Sequence, residues 1–137
     1  MKLIDTNILV HAYNKDSPNR LKAKTIVEDL IKGKYVISSQ NILEFYSAIT
    51  KRVSNPINSE EAKTKALNLY NSNAKKITPN LKVIENTLKF AAQNKLKGGE
   101  IFDALLVSTM LEYKIPIIIT ENDEHFKNFP IKVENPF

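Results

Sequence analysis

Four acidic residues of this 137-residue chain lie beside or inside strongly apolar segments. Asp5 interrupts the run KLIDTNILV and Asp103 lies inside IFDALL, whereas Glu44 follows YVIS and Asp123 follows PIIIT. An unpaired carboxylate is costly in apolar surroundings, so each of these acids needs a turn, a partner or a cation. Close carboxylates take up protons unless a cation lies among them, and Mg²⁺ and Mn²⁺ prefer such oxygen ligands.

A site of this kind suits phosphodiester hydrolysis. One or two divalent ions lower the pKa of a water, direct it at phosphorus and neutralise charge on the leaving oxygen. The chain carries 20 basic and 15 acidic residues, and a net charge of +5 favours a polyanionic partner. Lysines scattered over helices also serve solubility, so this charge alone is weak support.

Each acid also has a simpler structural interpretation. Asp5 suits the cap of a helix that begins at Asn7, and Asp123 suits a turn. Glu44 and Asp103 would complement helix N-termini. These interpretations do not explain why the acids share one end of the predicted sheet.

Short apolar runs alternate with longer helical patterns. Five runs are typical of strands: residues 2–4, 35–38, 76–78, 116–120 and 131–133. Besides the short helix at Asn7, the predicted helices are one opened by Pro18 that stops near Gly33, one after Ser39, one capped by Ser59, one over 81–91, and one over 101–111 after Gly98-Gly99. The last is apolar nearly all round, which predicts deep packing.

This alternation predicts an α/β fold, a three-layer α/β/α sandwich with a mostly parallel central sheet of four or five strands. Residues 1–137 are expected to form a single domain. Ligands of such sheets bind beyond the carboxyl ends of the strands. Because Asp5, Glu44 and Asp123 follow three different strands, we expect them to converge there with Asp103.

Composition excludes several other sites. The absence of cysteine excludes disulfides, thiolate metal sites and a cysteine nucleophile. No apolar run approaches the roughly 18 residues that span a bilayer, so no membrane association and a cytoplasmic location are expected. His11 and His125 fit no catalytic-triad or zinc spacing, and we interpret both as structural or surface residues.

Four segments resemble, in order and spacing, the motifs of PIN-domain nucleases: DTNILV at 5–10, QNILEF at 40–45, GGEIFDALLV at 98–107 and ITENDEHF at 119–126. The closing KVENPF also resembles the end of VapC-type members, the toxins of toxin–antitoxin pairs. The resemblance implies a PIN-like fold and an Mg²⁺- or Mn²⁺-dependent endoribonuclease acting on RNA. It also implies a homodimer and a small antitoxin protein that inhibits the enzyme.

The resemblance assigns the first three acids to Asp5, Glu44 and Asp103. Thr6 and Asn7 match the polar residues beside the first acid, where they would hydrogen-bond the carboxylates or position the substrate. All of these are expected to lie at the metal site.

The fourth motif departs from the commonest pattern. Thr120 matches its opening threonine, but Asn122 stands where family members often have an aspartate. Asp123 follows one residue later, and Glu121 is a further alternative. Asp123 is therefore the predicted fourth catalytic and metal-binding acid, with Thr120 and Asn122 beside it.

Three other functions share parts of this pattern. An aspartyl-nucleophile phosphatase needs a second aspartate where Asn7 stands, and a receiver-type signalling domain needs a lysine where Glu121 stands. Both substitutions argue against those classes. A PIN-like module that binds RNA or protein, with weak or no catalysis, stays open as the alternative.

Overall fold

Five short strands and seven helices alternate along the chain in a computed structural model that describes residues 1–137. The strands are β1 Lys2–Ile4, β2 Val36–Ser38, β3 Lys75–Ile77, β4 Ile117–Ile119 and β5 Lys132–Glu134. The helices are α1 Thr6–Tyr13, α2 Arg20–Ile31, α3 Ser39–Ser47, α4 Ser59–Tyr70, α5 Leu81–Gln93, α6 Glu100–Glu112 and α7 Asp123–Phe126. A π-helical segment, Ala48–Arg52, extends α3.

All five strands are parallel, in the order β3-β2-β1-β4-β5. The chain builds outward from β1 to β3 and then returns to add β4 on the other side of β1. The order therefore reverses between β1 and β4, and this is where open α/β sheets bind ligands. The predicted parallel sheet of four or five strands is confirmed.

The three inner strands β1, β2 and β4 are largely buried, and their successive side chains point to opposite sides of the sheet. Ile4 and Ile37 join one core cluster with residues of α1 to α4. Leu3 and Val36, their neighbours along the chain, join a second cluster with residues of α6 and α7. The sheet thus lies between two helical layers, and the predicted three-layer sandwich is confirmed.

Several predicted helix boundaries need correction. Pro18 does not open α2, because the helix begins at Arg20 after Asn19. Ser59 is not the cap of α4, since the Asn58 side chain accepts the Glu61 backbone N–H. Helix α1 begins at Thr6, one residue before the predicted start.

The deep packing predicted for α6 is only partly correct. One face of the helix is buried, but Phe102 and Leu111 are 58% and 47% exposed. The apolar sequence did not separate these faces because both carry large hydrophobic side chains. None of the seven helices is long and apolar enough to cross a membrane.

The predicted stop of α2 near Gly33 is correct. The helix ends at Ile31, and Gly33 follows with a φ of +94°, which side-chain-bearing residues rarely adopt. A Cβ at this position would also lie 3.0 Å from the Asn73 carbonyl oxygen. This turn directs the chain into β2.

Candidate active site

Asp5 directly follows β1 and is a buried acid, 9% exposed. Its Oδ1 accepts the Thr6 backbone N–H at 2.8 Å, and its Oδ2 accepts the Thr120 hydroxyl at 2.8 Å and Asn7 Nδ2 at 3.3 Å. Asp5 is also the N-cap of α1, in agreement with the simpler structural interpretation of this residue. Asp5 therefore both caps α1 and lies at the carboxyl edge of the sheet.

Thr120 reaches Asp5 because β4 pairs with β1, and the Asp5 backbone N–H donates to the Ile119 carbonyl at 3.0 Å. Its hydroxyl oxygen also accepts Asn7 Nδ2 and the Asn122 backbone N–H, both at 3.0 Å. One threonine hydroxyl therefore joins the first and fourth motifs. Residues 5 and 120 were predicted at the site, and the structure brings them into direct contact.

A second buried connection was missed in the sequence. Asn41 is fully buried, and its Nδ2 donates to Thr6 Oγ1 at 3.1 Å while its Oδ1 accepts the Ser38 hydroxyl at 2.7 Å. Ser38 and Asn41 form a reciprocal capping box at the start of α3. A serine at a strand end with an amide three residues later was the available signal. This connection fixes the start of α3 against α1.

Glu44 on α3 and Asp103 on α6 line the same cleft as Asp5, a cavity of about 380 Å³. Both side chains are half-buried. Glu44 stands in the second turn of its helix and Asp103 in the first, so each points toward the carboxyl edge of the sheet. The predicted convergence of these three acids on one cleft is thereby found.

All three carboxyl groups have raised pKa values. Burial is the largest cause of the raised pKa of Asp5, and the hydrogen bonds from Thr120 and Thr6 oppose it. Burial also raises the pKa of Glu44, and the negative charge of Asp5 adds to it. The pKa of Asp103 is raised by burial first, against the attraction of His125. The fold therefore holds these acids where negative charge is unfavourable.

This donor set fits a hard divalent cation, which would offset both burial and repulsion. No three acidic or histidine side chains are close enough together to hold a metal ion in the arrangement described. Coordination by Asp5, Glu44 and Asp103 would therefore require their side chains to move closer. Asp5 is fixed by its hydrogen bonds, whereas Glu44 and Asp103 are only half-buried.

Asp123 does not line the cleft. It begins α7, is exposed, and its Oδ1 accepts Asn135 Nδ2 at 2.8 Å. Asn122 and Glu121 line the cleft instead. The predicted convergence of Asp123 with the other acids is thus wrong in this structure, because its carboxylate turns toward the end of the chain.

Both histidines border the cleft, although their spacing in the sequence did not predict this position. His11 Nε2 lies 2.6 Å from Glu121 Oε2, and its Nδ1 lies 2.5 Å from Ser17 Oγ. His125 Nδ1 lies 3.6 Å from Asp103 Oδ2. Glu121 is therefore engaged by His11.

Arg52 is the one residue with a permanent positive charge among those lining the cleft. It lies at the end of the π-helical segment, and its Nη2 donates to the Glu44 carbonyl at 3.4 Å. Its charge also partly opposes the rise in the Glu44 pKa. An anionic substrate would therefore meet one cation at the edge of an acidic site.

Comparison with known proteins identifies one family. A family model described as PIN domain matches residues 2–132. No curated protein matches the chain significantly.

Several solved structures share the fold. VapC20 of Mycobacterium tuberculosis, described as a Sarcin-Ricin loop cleaving toxin, has a TM-score of 0.75 at 11% identity over 98% of this chain and 100% of that one. A toxin–antitoxin complex from Klebsiella pneumoniae has a TM-score of 0.68 at 23% identity, over 100% of this chain and 98% of that one. VapBC2 from Rickettsia felis, in a structure with a DNA fragment from its promoter, has a TM-score of 0.67 at 24% identity, over 98% of this chain and 97% of that one.

Proposed function

This chain belongs to the PIN domain family, and we propose that it is an Mg²⁺- or Mn²⁺-dependent endoribonuclease, the toxin of a VapBC-type toxin–antitoxin pair. The observation that carries the proposal is the cleft where Asp5, Glu44 and Asp103 meet at the carboxyl edge of a parallel sheet. Raised pKa values at all three acids indicate a site suited to a cation.

Asp5, Glu44 and Asp103 would hold the ion, and Asn122 is the preferred fourth donor. Asn122 lines the cleft with a neutral amide, whereas Asp123 is turned away and Glu121 is paired with His11. When bound, the ion would lower the pKa of a water and neutralise the charge that develops on the leaving oxygen. Asp123 as a ligand would require its bond to Asn135 to break.

The chain's own residues position the reactants. Thr120 and the Thr6 N–H hold the Asp5 carboxylate in one orientation, and Arg52 attracts the phosphate. A water oxygen forms a bond to phosphorus while the bond from phosphorus to the leaving ribose oxygen breaks. The attacking water loses one proton, and the leaving ribose oxygen gains one.

RNA is the proposed substrate because of the net charge of +5 and the cation at the cleft. A small antitoxin is proposed as a partner, since structural neighbours include toxin–antitoxin complexes. A homodimer is proposed from the resemblance to VapC-type toxins. Light scattering on the purified chain, alone and with a co-expressed neighbouring gene product, tests both.

The test of activity is cleavage of RNA by the purified chain in Mg²⁺ or Mn²⁺, compared with the same reaction in EDTA. Asp5→Asn is expected to reduce cleavage by at least about 100-fold, since even outer partners of metal ligands account for 10- to 100-fold. Asp16→Asn, an exposed acid outside the cleft, is the matched control and should retain activity. Circular dichroism verifies that both variants fold.

A binding module without catalysis is the second candidate, favoured by the finding that no three ligands lie within reach of one ion. It predicts RNA binding without cleavage in any divalent metal. Cleavage in EDTA equal to that in Mn²⁺, or full activity of Asp5→Asn, would instead reject the metal-dependent nuclease.

A further inference from the structure

A groove of about 1020 Å³ adjoins the acidic cleft. Glu44, Asp103 and His125 line both cavities, so a molecule bound at the acids extends directly into the groove. Helix α3 and the first turns of α6 form two of its walls, and residues of α5, α7 and the neighbouring loops complete the lining. The Gln40 amide joins these walls, because its Nε2 donates to the Phe102 carbonyl at 2.9 Å.

The walls carry large apolar side chains that are exposed to solvent. Leu43 is 72% exposed and Phe102 is 58% exposed, and both line the groove. Each immediately precedes a cleft acid, Glu44 or Asp103. Adjacent helical side chains are separated by about 100° around the axis. Each helix therefore presents an acid to the cleft and an apolar side chain to the groove.

Charge also differs between the two cavities. The residues lining the groove include neither lysine nor arginine, whereas Arg52 lines the cleft. Glu100 and Glu124 are exposed acids of the groove. A phosphate is therefore disfavoured in the groove, whereas the cleft offers Arg52 and the acids that would hold a divalent cation. A flat, uncharged group joined to a phosphate matches both cavities together.

We propose that the groove is a nucleobase subsite, in which a base next to the scissile phosphate stacks on Phe102 and contacts Leu43. This inference rests on the proposed function for its substrate class and adds which side chains contact the base beside the scissile phosphate. Bases in a helix are stacked on their neighbours, whereas a splayed base offers its face to an aromatic ring.

The chain contains no tryptophan, so Phe102→Trp introduces a single fluorescent reporter into the groove. The titrant is a single-stranded RNA oligonucleotide, and fluorescence anisotropy of a labelled copy measures total binding. An oligonucleotide of equal length with abasic nucleotides tests whether the base is required. Leu111→Trp is the matched control, because Leu111 is exposed on the same helix outside the groove.

We expect the RNA to quench the tryptophan fluorescence of the Phe102→Trp variant and the abasic strand to quench it much less. The Leu111→Trp variant should respond to neither strand. Equal quenching by both strands, an equal response of the two variants, or anisotropy without quenching would overturn the subsite. So would the absence of any RNA binding. Quenching by an arginine-rich peptide but not by RNA would assign the groove to a cationic peptide instead.

Cleavage kinetics separate this inference from the proposed function. Phe102→Ala should raise KM for single-stranded RNA roughly tenfold, as expected for loss of one stacked base, and Phe102→Tyr should restore it. Metal-dependent cleavage with no effect of Phe102→Ala and no quenching in the Phe102→Trp variant rejects the subsite alone. Quenching without cleavage in any metal rejects the nuclease and retains the subsite.

Discussion

Asp5 serves the fold and the site at once. Its carboxylate caps α1, receives the Thr120 hydroxyl and borders the cleft shared with Glu44 and Asp103. These hydrogen bonds hold the negative charge in place although burial opposes it. A side chain fixed in this way needs little reorganisation when a cation binds, which is the arrangement that preorganised sites use.

Thr120→Val tests whether the Thr120 hydroxyl holds the Asp5 carboxylate in place. The change removes the donor to Asp5 and one of the two acceptors of Asn7 Nδ2, and it leaves the Asn122 N–H without its acceptor. We expect kcat for RNA cleavage to fall about 10- to 100-fold, the usual result of losing a partner of a metal ligand. Thr120→Ser keeps the hydroxyl and should retain most of the activity. Equal kcat for the Val and Ser variants would show that the hydroxyl does not position Asp5.

Asp103→Asn separates stability from activity. Burial and the charge of Asp5 disfavour ionised Asp103, so the neutral amide relieves repulsion. Because the group is partly exposed and screened, we expect the free energy of unfolding, measured with urea in EDTA, to rise by only roughly a few tenths of a kcal/mol. Cleavage should be lost. A variant that is less stable in EDTA would argue against repulsion among these acids.

Helices α3 and α6 have equivalent roles in forming the two cavities. Each begins near the carboxyl edge of the sheet and delivers one acid from its first two turns, together with the apolar residue before it. The buried Ser38–Asn41 capping box sets the position of α3. A different start of either helix would rotate the acid and its neighbour together, so both cavities depend on where α3 and α6 begin.

The final segment of the chain holds the fourth motif. Asn135 Nδ2 donates to Asp123 Oδ1 at 2.8 Å and to the Glu121 carbonyl at 3.4 Å. The ring of Phe137 packs edge-on against His11 at 5.1 Å. The segment after β5 thus braces the turn that carries Asn122 into the cleft.

A double-mutant cycle decides what Asp123 does. If Asp123 is a partner of Asn135, then Asp123→Ala and Asn135→Ala should each lower kcat/KM modestly, and the double variant should lose little more than either. If Asp123 is a metal ligand, its replacement should reduce cleavage as severely as Asp5→Asn. RNA cleavage in Mn²⁺ measures all four proteins. Full additivity of two small effects would contradict coupling through the observed hydrogen bond.

The molecule as a whole gathers negative charge at one sheet edge while its total charge is +5. Folding therefore works against repulsion at the site, and stability should respond to pH and to divalent metal together. Surface ion pairs such as Lys2–Glu134 respond in the opposite sense, since the Glu134 pKa is lowered, but pairs open to solvent contribute little.

The sign of the pH effect follows from the raised pKa values. The folded chain binds protons at Asp5, Glu44 and Asp103 more tightly than the unfolded chain does. Without divalent metal, stability should fall as pH rises from the ordinary carboxyl values, 3.8 for Asp and 4.5 for Glu, through the raised folded values. Tm in EDTA should therefore be higher near the lower end of this range than at neutral pH.

Millimolar Mg²⁺ or Mn²⁺ should raise Tm at neutral pH by binding the folded chain, and the gain should shrink as the acids protonate. Asp5→Asn is the control, because it removes one charge and should weaken both responses. Scanning calorimetry measures each. An equal metal-induced shift in the variant would place the binding elsewhere on the protein.

Local sequence determined the helices and strands, and it placed the acids at the carboxyl ends of the strands. Alternating apolar runs and helical patterns predicted the layers, and parallel strands place their carboxyl ends at a common edge. Asp5, Glu44 and Asp103 were thus predictable as neighbours. Helix starts at Arg20 and after Asn58 were missed, because several capping residues stand close together there.

Tertiary structure decided the contacts within the site. Thr120 meets Asp5 across 115 residues only because β4 returns to pair with β1, and strand order is not a local property. Asp123 is excluded from the cleft by its bond to Asn135, and His11 and His125 enter it through chain packing. The sequence contains the acids, but long-range pairing determines which polar side chains surround them.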